Sequence, residues 1–209
     1  MFVFKSLFMK QLLSFFLLLS ITTSFAQKRF ENKTFGFTIE EPLGWIWGNN
    51  DDLARNLEKL DIDEEKLVKI IKEHEGSVLL LSLYKYDPQT YEGLVPAIQV
   101  NVRERNNEDF HEFKSNIIRS ARSFHGLYDD FEFMEEPKDI KISHIKSIYF
   151  VTKFTMRAEN GLTYRVRSRI YVIPWKHYYF QINMTDDLMG EDCSREFLHL
   201  VKSIKIKRK

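Results

Sequence analysis

The sequence predicts an α+β fold, a largely antiparallel sheet covered by amphipathic helices. Three observations carry that expectation. Apolar residues alternate at period two in several segments, the mark of half-buried strands. Elsewhere they recur at spacings of three and four, the stripe of a helix lying on a core. The second half is mostly strand-like, and Asn160-Gly161 is a strong hairpin signal that pairs neighbouring strands antiparallel.

The elements follow in chain order. Lys5 and Lys10 precede an apolar run from Leu12 to Ile21, and Ser24-Phe25-Ala26 places small residues at −3 and −1 before Gln27. Residues 1–26 are therefore expected to be a secretory signal peptide cleaved between Ala26 and Gln27. The run is too short to span a bilayer comfortably, which ranks an uncleaved anchor second. An exported protein follows, periplasmic ahead of fully secreted, with no integral membrane segment once the leader is removed. Residues 27–209 contain no repeat, low-complexity tract or linker, and read as one domain.

Phe35, Phe37 and Ile39 alternate with Gly36 and Thr38 as a strand, which Pro42 and Gly44 end. Trp45 and Trp47 follow and can fold back over the core edge. Asp51 to His74 is helical in pattern, as one long helix or as two with a second N-cap at Asp63. Gly76 stops it. Val78 to Tyr86 reads as a central strand. Ala97 to Arg103 alternates, with Ile98, Val100 and Val102 inward. Phe110, Phe113, Ile117, Ala121 and Phe124 form a helical stripe behind an acidic cap at Asn107 to Asp109. Strands are then expected at Phe131–Glu135, Ile142–Met156, Leu162–Ile173 and His177–Met184. A last helix runs from about Glu191 to Ser203, and Lys205 to Lys209 is a short strand or a basic tail.

The stretch "GFTIEEPLGW" near the start and "FLHLVKSIKIK" at the end resemble the PsbP-like family. Members commonly open with a Gly-Phe-x-hydrophobic strand and a Pro-x-Gly-Trp turn, and close with a helix running into a Ser-Ile/Phe strand. The resemblance implies an α/β/α sandwich whose mainly antiparallel sheet has six or seven strands flanked by helices. It also implies that Trp45 is a structural plug at one end of the sandwich, aimed by Pro42 and Gly44. No reaction comes with it, since understood members act as assembly factors, chaperones or docking subunits. The long helical stretch after the turn departs from the shorter members.

Composition narrows the partner. Without the two leader lysines the chain has 29 basic residues against 30 acidic ones, which argues against nucleic acid. Cys193 is the single cysteine, so no internal disulfide can form, and its apolar setting reads as a small buried hydrophobe. The six histidines share no metal-ligand spacing, and there is no phosphate loop or nucleophile elbow. No cofactor and no enzymatic activity are expected.

One constellation stands out. Arg165, Arg167 and Arg169 alternate with apolar or small residues, which puts three guanidinium groups on one sheet face over about 13 Å. Lys153 and Arg157 fall on matching parity across the Asn-Gly turn, and Tyr179 is assigned to the same patch. The bland reading is a solvated face paired with acids from a covering helix or a neighbouring strand. The sharp one is a binding surface for an acidic protein or a small anionic ligand. The sequence thus points to an exported, non-catalytic binding or accessory protein engaging a partner in the cell envelope. A small-ligand carrier and a hydrolase without recognisable motif are the alternatives, and the oligomeric state is not indicated.

Overall fold

A computed structural model describes residues 28–48, 64–158 and 161–207. The leader with its Ala26–Gln27 junction, the first half of the Asp51–His74 stretch, the Asp63 cap and Asn160 lie outside the described residues.

Strands β1 (Arg29–Asn32), β2 (Phe37–Glu40) and β3 (Ile46–Trp47) precede helix α1 (Glu64–Glu73). Strands β4 (Ser77–Tyr84) and β5 (Ala97–Glu104) lead to helix α2 (Phe110–Ser123), which continues into a 3-10 turn at Phe124–Gly126. Then come β6 (Asp129–Ile142), β7 (Ile145–Arg157), β8 (Thr163–Trp175) and β9 (Tyr178–Asp187), helix α3 (Ser194–Ser203) and β10 (Lys205–Ile206). Seven strands form one antiparallel sheet in the order β3-β4-β5-β9-β8-β7-β6. A second, three-stranded sheet has the order β1-β2-β10.

Burial explains the layering. Ile98, Val100 and Val102 of β5 and Phe180, Ile182 and Met184 of β9 are fully buried on one face of the large sheet. Leu67 and Ile71 of α1, Phe197 and Leu200 of α3, and Phe37 and Ile39 of β2 pack onto that face as the main core. On the other face Phe113 and Ala121 of α2 meet Ile148, Phe150, Ile170 and Val172 in a smaller core. The fold is thus an α/β/α sandwich with seven antiparallel strands, and the small sheet joins the α1/α3 layer. Asp109 caps α2 by accepting from the Glu112 backbone N–H at 2.8 Å, which fixes where that helix begins.

Several boundaries differ from the sequence expectation. The stretch Ile142–Met156 is two strands, because Ser143 and His144 turn the chain with φ of 49° and 66°. Neither is glycine, so no turn signal marked the hairpin. The expected short strand Phe131–Glu135 is the middle of fourteen-residue β6. Pro137 and a high charge density hid it, and both are tolerated because β6 is the sheet edge, where a missing N–H and charged side chains guard against unwanted pairing. Helix α1 ends at Glu73, short of His74, and β2 starts at Phe37 rather than Phe35.

The turn before β2 depends on Gly36, whose φ is +66° and whose missing Cβ would sit 2.5 Å from the Lys207 carbonyl oxygen. Lys207 N–H donates to the Gly36 carbonyl at 3.0 Å, tying the chain end to the first turn. Gly36→Val is expected to lower stability by at least ~2 kcal/mol, combining backbone strain with a steric clash. Urea unfolding followed by circular dichroism checks this, and a change under ~0.5 kcal/mol would show that the turn relaxes freely.

Beside it, Gly44 has φ +80° and Trp45 N–H donates to the Pro42 carbonyl at 3.3 Å. The Trp45 ring, half-buried against the main core, meets Phe197 edge-on at 6.1 Å between centroids.

Candidate functional site

The hairpin registers decide which side chains share a face. Across the β7–β8 turn Lys153 pairs with Arg167, Thr155 with Arg165 and Arg157 with Thr163, so Lys153, Arg157 and the three arginines do share one face. The β8–β9 link is a two-residue turn, Lys176–His177, which pairs odd positions of β8 with even positions of β9. The arginines therefore face Asp186 and Met184, whereas Tyr179 pairs with Pro174 and lies on the opposite face against Phe113 at 5.3 Å. Assigning Tyr179 to the arginine patch is corrected by this register.

Nor is the row an open cationic surface. Asp186, completely buried, accepts from Arg167 Nε at 2.8 Å and Nη2 at 2.9 Å, from Arg169 Nη1 at 3.0 Å and from the Cys193 backbone N–H at 2.9 Å. Asp192 pairs with Arg167 at 2.8 Å and accepts from the Ser194 N–H at 2.8 Å, where α3 begins. Arg169 also donates to Ser194 Oγ, and its guanidinium stands over the Phe197 ring at 5.4 Å. The Asp186 hydrogen bonds hold the Arg167 guanidinium above its ordinary pKa, and the Ser194 hydrogen bonds depress Asp192. Lys153 pairs with Glu132 at 2.8 Å and Arg157 with Asp129 at 2.8 Å, both with the edge strand β6, while Arg165 stays exposed. A buried arginine, Arg169, and a partly buried one, Arg167, answered by two aspartates form a clamp between the sheet and the start of α3, with little net charge left for an anion.

Lys85 extends this clamp. Its ammonium bridges Glu191 at 2.8 Å and Glu196 at 2.7 Å and lies 3.7 Å from Cys193 Sγ. Burial works against the charge, but the two glutamates outweigh it and raise the pKa. Burial pushes the Cys193 thiol up to about 12, so it is a protonated core residue at neutral pH. Among the described residues no group of three or more His, Cys, Asp or Glu side chains comes together as a metal site.

The opposite face holds the more open feature. Helix α2 packs on β7 and β8, and beside it a groove of about 280 Å³ opens over β5, β9 and the C-terminal end of α2. Its floor is a grid of neutral polar side chains set by register: Gln99 beside Asn183, and Thr185 beside Ser168, itself beside Thr152. Ser168 and Thr152 are buried residues, and with Thr185 they contribute hydroxyl side chains to the groove lining. Gln181 donates to Asn183 at 3.2 Å, aligning the two amides. The mouth is aromatic: Phe124 and Tyr128 stand about two-fifths exposed, with ring contacts of 5.9 Å between them, 6.1 Å from Phe124 to Phe131 and 4.5 Å from Tyr128 to Phe154. Such a mixture of adaptable hydrogen-bonding groups and ring faces can hold and orient a small molecule.

Sequence reasoning missed this groove although half its floor was visible in it. Gln99, Asn101 and Arg103 read as the outward side of β5, and Tyr179, Gln181 and Asn183 as the polar side of β9. What could not be read was that β5 and β9, far apart in sequence, are neighbours with those two sides in register.

No family model matches the chain, and no curated protein sequence matches it. Solved structures to which it is similar include one from Bacteroides thetaiotaomicron, with a TM-score of 0.48 and 12% identity over 88% of this chain; the chain spans only 49% of that protein. Cyanobacterial PsbP from Synechocystis gives 0.48 and 10% identity, covering 89% of this chain and 96% of that one. The Ran-binding protein Mog1p of Saccharomyces cerevisiae gives 0.47 and 12% identity, covering 86% and 95%. The PsbP type that the terminal motifs resemble is thus among these neighbours, and likeness of this degree carries no argument about site or activity.

Proposed function

We propose that this is an exported, non-catalytic binding protein of the cell envelope, carried out by the leader at residues 1–26, whose ligand sits in the groove between α2 and the sheet. The observation that supports the reading is the groove itself. It combines a floor of hydroxyl side chains, two aligned amides and an aromatic mouth. Its chemistry is that of holding rather than of proton or group transfer. The arginine row is the weaker candidate, because Asp186 and Asp192 already neutralise Arg167 and Arg169. A second reading, capture of a protein partner at this mouth, is favoured by Leu127, which stands 72% exposed beside Phe124 and Tyr128.

Native mass spectrometry of residues 27–209, purified from the exporting cell, tests the reading. A non-covalent adduct is expected on the unaltered protein and its loss in Ser120→Trp, which fills the mouth from an exposed position of α2. Photo-crosslinking from position 127 in the same cells separates the second reading. A bare protein with no crosslinked partner, or an adduct that survives Ser120→Trp, would overturn the groove as the functional site.

A further inference from the structure

Resting on the groove as the binding site, we infer that its ligand is a small amphipathic monocarboxylate whose acid group is received by Arg103. The charge inventory of the groove leads there. Of all the side chains that line it, only Arg103 is charged, and no acid and no histidine share the lining. Among the described residues no carboxylate pairs with Arg103. Its position is set by β5, where register places it beside Tyr179 of β9 at one end of the floor. Glu108, an acid whose charge is felt at Tyr179, is engaged by Asn116 Nδ2 at 2.5 Å. Arg105, the next outward position, is also engaged, donating to the Glu108 carbonyl at 2.6 Å and standing 5.0 Å from the Phe113 ring.

The rest of the groove fixes what kind of molecule carries the charge. Ile117 and Ala121 of α2 and Phe124 of the 3-10 turn form an apolar wall, and Phe150 and Ile170 lie across from them on the sheet. A body that is apolar on the helix side is therefore required. Gln99, Asn183 and Thr185 offer donors and acceptors on the other side, so hydroxyl or amide substituents facing the sheet are accommodated. The volume of about 280 Å³ lies near the lower end of small-molecule sites, so the body is on the scale of one ring or a short chain. A single cation sets one negative charge; a diacid or a phosphate ester would leave charge unanswered in a partly dry groove. The Tyr179 phenol, raised in pKa by burial, stays protonated beside Arg103 and can donate a second hydrogen bond to the carboxylate.

The test uses matched probes. Benzoate, 4-hydroxycinnamate, indole-3-acetate and octanoate are each titrated with their primary amides against residues 27–209, with binding followed by amide chemical-shift changes. The acids are expected to share one site with shifts at Gln99, Asn183 and Thr185, and to bind about 10- to 100-fold more tightly than their amides, the range of a charge-assisted hydrogen bond. Arg103→Gln is expected to erase that preference. Because Arg103 is exposed and has no carboxylate partner among the described residues, the variant should keep its fold, which an unchanged spectrum away from the groove verifies. If amides bind as well as acids, or Arg103→Gln keeps the preference, the monocarboxylate assignment is overturned while the groove stands. If no probe of either kind shifts the groove residues, the assignment fails, and the adduct experiment with Ser120→Trp decides whether the groove fails with it.

Discussion

Asp186→Ala is expected to lower the unfolding free energy by about 3–5 kcal/mol, the cost of leaving buried charge without its partner. The carboxylate is wholly buried and is met by two guanidinium groups and a backbone N–H, so its removal leaves Arg167 and Arg169, whose side chains are 14% and 8% exposed, to share the single, largely exposed Asp192. The same loss frees the Cys193 N–H at the entry to α3, and that helix supplies Phe197 and Leu200 to the main core. Asp192→Ala is the natural control: its side chain is 59% exposed, and its loss is expected to cost ~1 kcal/mol or less. Urea unfolding by circular dichroism measures both. A loss of under ~1 kcal/mol for Asp186→Ala would mean that water replaces the carboxylate and that the clamp is loose. The result bears directly on function, because reversing Arg167 or Arg169 to Glu would bury like charges beside Asp186. Failure of such a variant to bind a partner would report unfolding rather than recognition.

Phe197→Ala is expected to cost about 3–5 kcal/mol, as large-to-small changes at closed core sites do. Phe197 is fully buried and joins three features: the Trp45 turn through its edge-on ring contact, the main core, and the clamp through the Arg169 guanidinium. If Trp45 seals the end of the sandwich through this contact, Trp45→Ala and Phe197→Ala will not add. A coupling of about 0.5–1.5 kcal/mol, the range for an aromatic pair, is expected from the double-mutant cycle. Strict additivity would show that the two rings are held independently and that the turn does not depend on α3.

Periodicity alone carried much of the architecture. The inward triad Ile98, Val100 and Val102, the α2 stripe headed by Phe113 and the hairpin at Gly161 were legible because each is a local pattern with a local cause. Strands that break the pattern were not. β1 is four residues with one buried side chain, β3 has two residues, and β6 is an edge strand written in charged residues with a proline. Their place comes from hydrogen bonds to neighbours already in the sheet, which no local signal records.

The candidate site divides in the same way. By itself the sequence determined which residues alternate on each strand, so the arginine row, its parity match with Lys153 and Arg157 and the polar sides of β5 and β9 were all available from it. Only the tertiary structure decided what each row faces. A two-residue turn at Lys176–His177 put Asp186 rather than Tyr179 beside the arginines, and the pairing of β5 with β9 assembled the groove. The physical reason is that side-chain alternation is a property of one strand, whereas register is a property of two. A shift of one residue between strands moves every side chain to the other face, and turns and distant pairings, set by the packing of the whole chain, choose between the two outcomes.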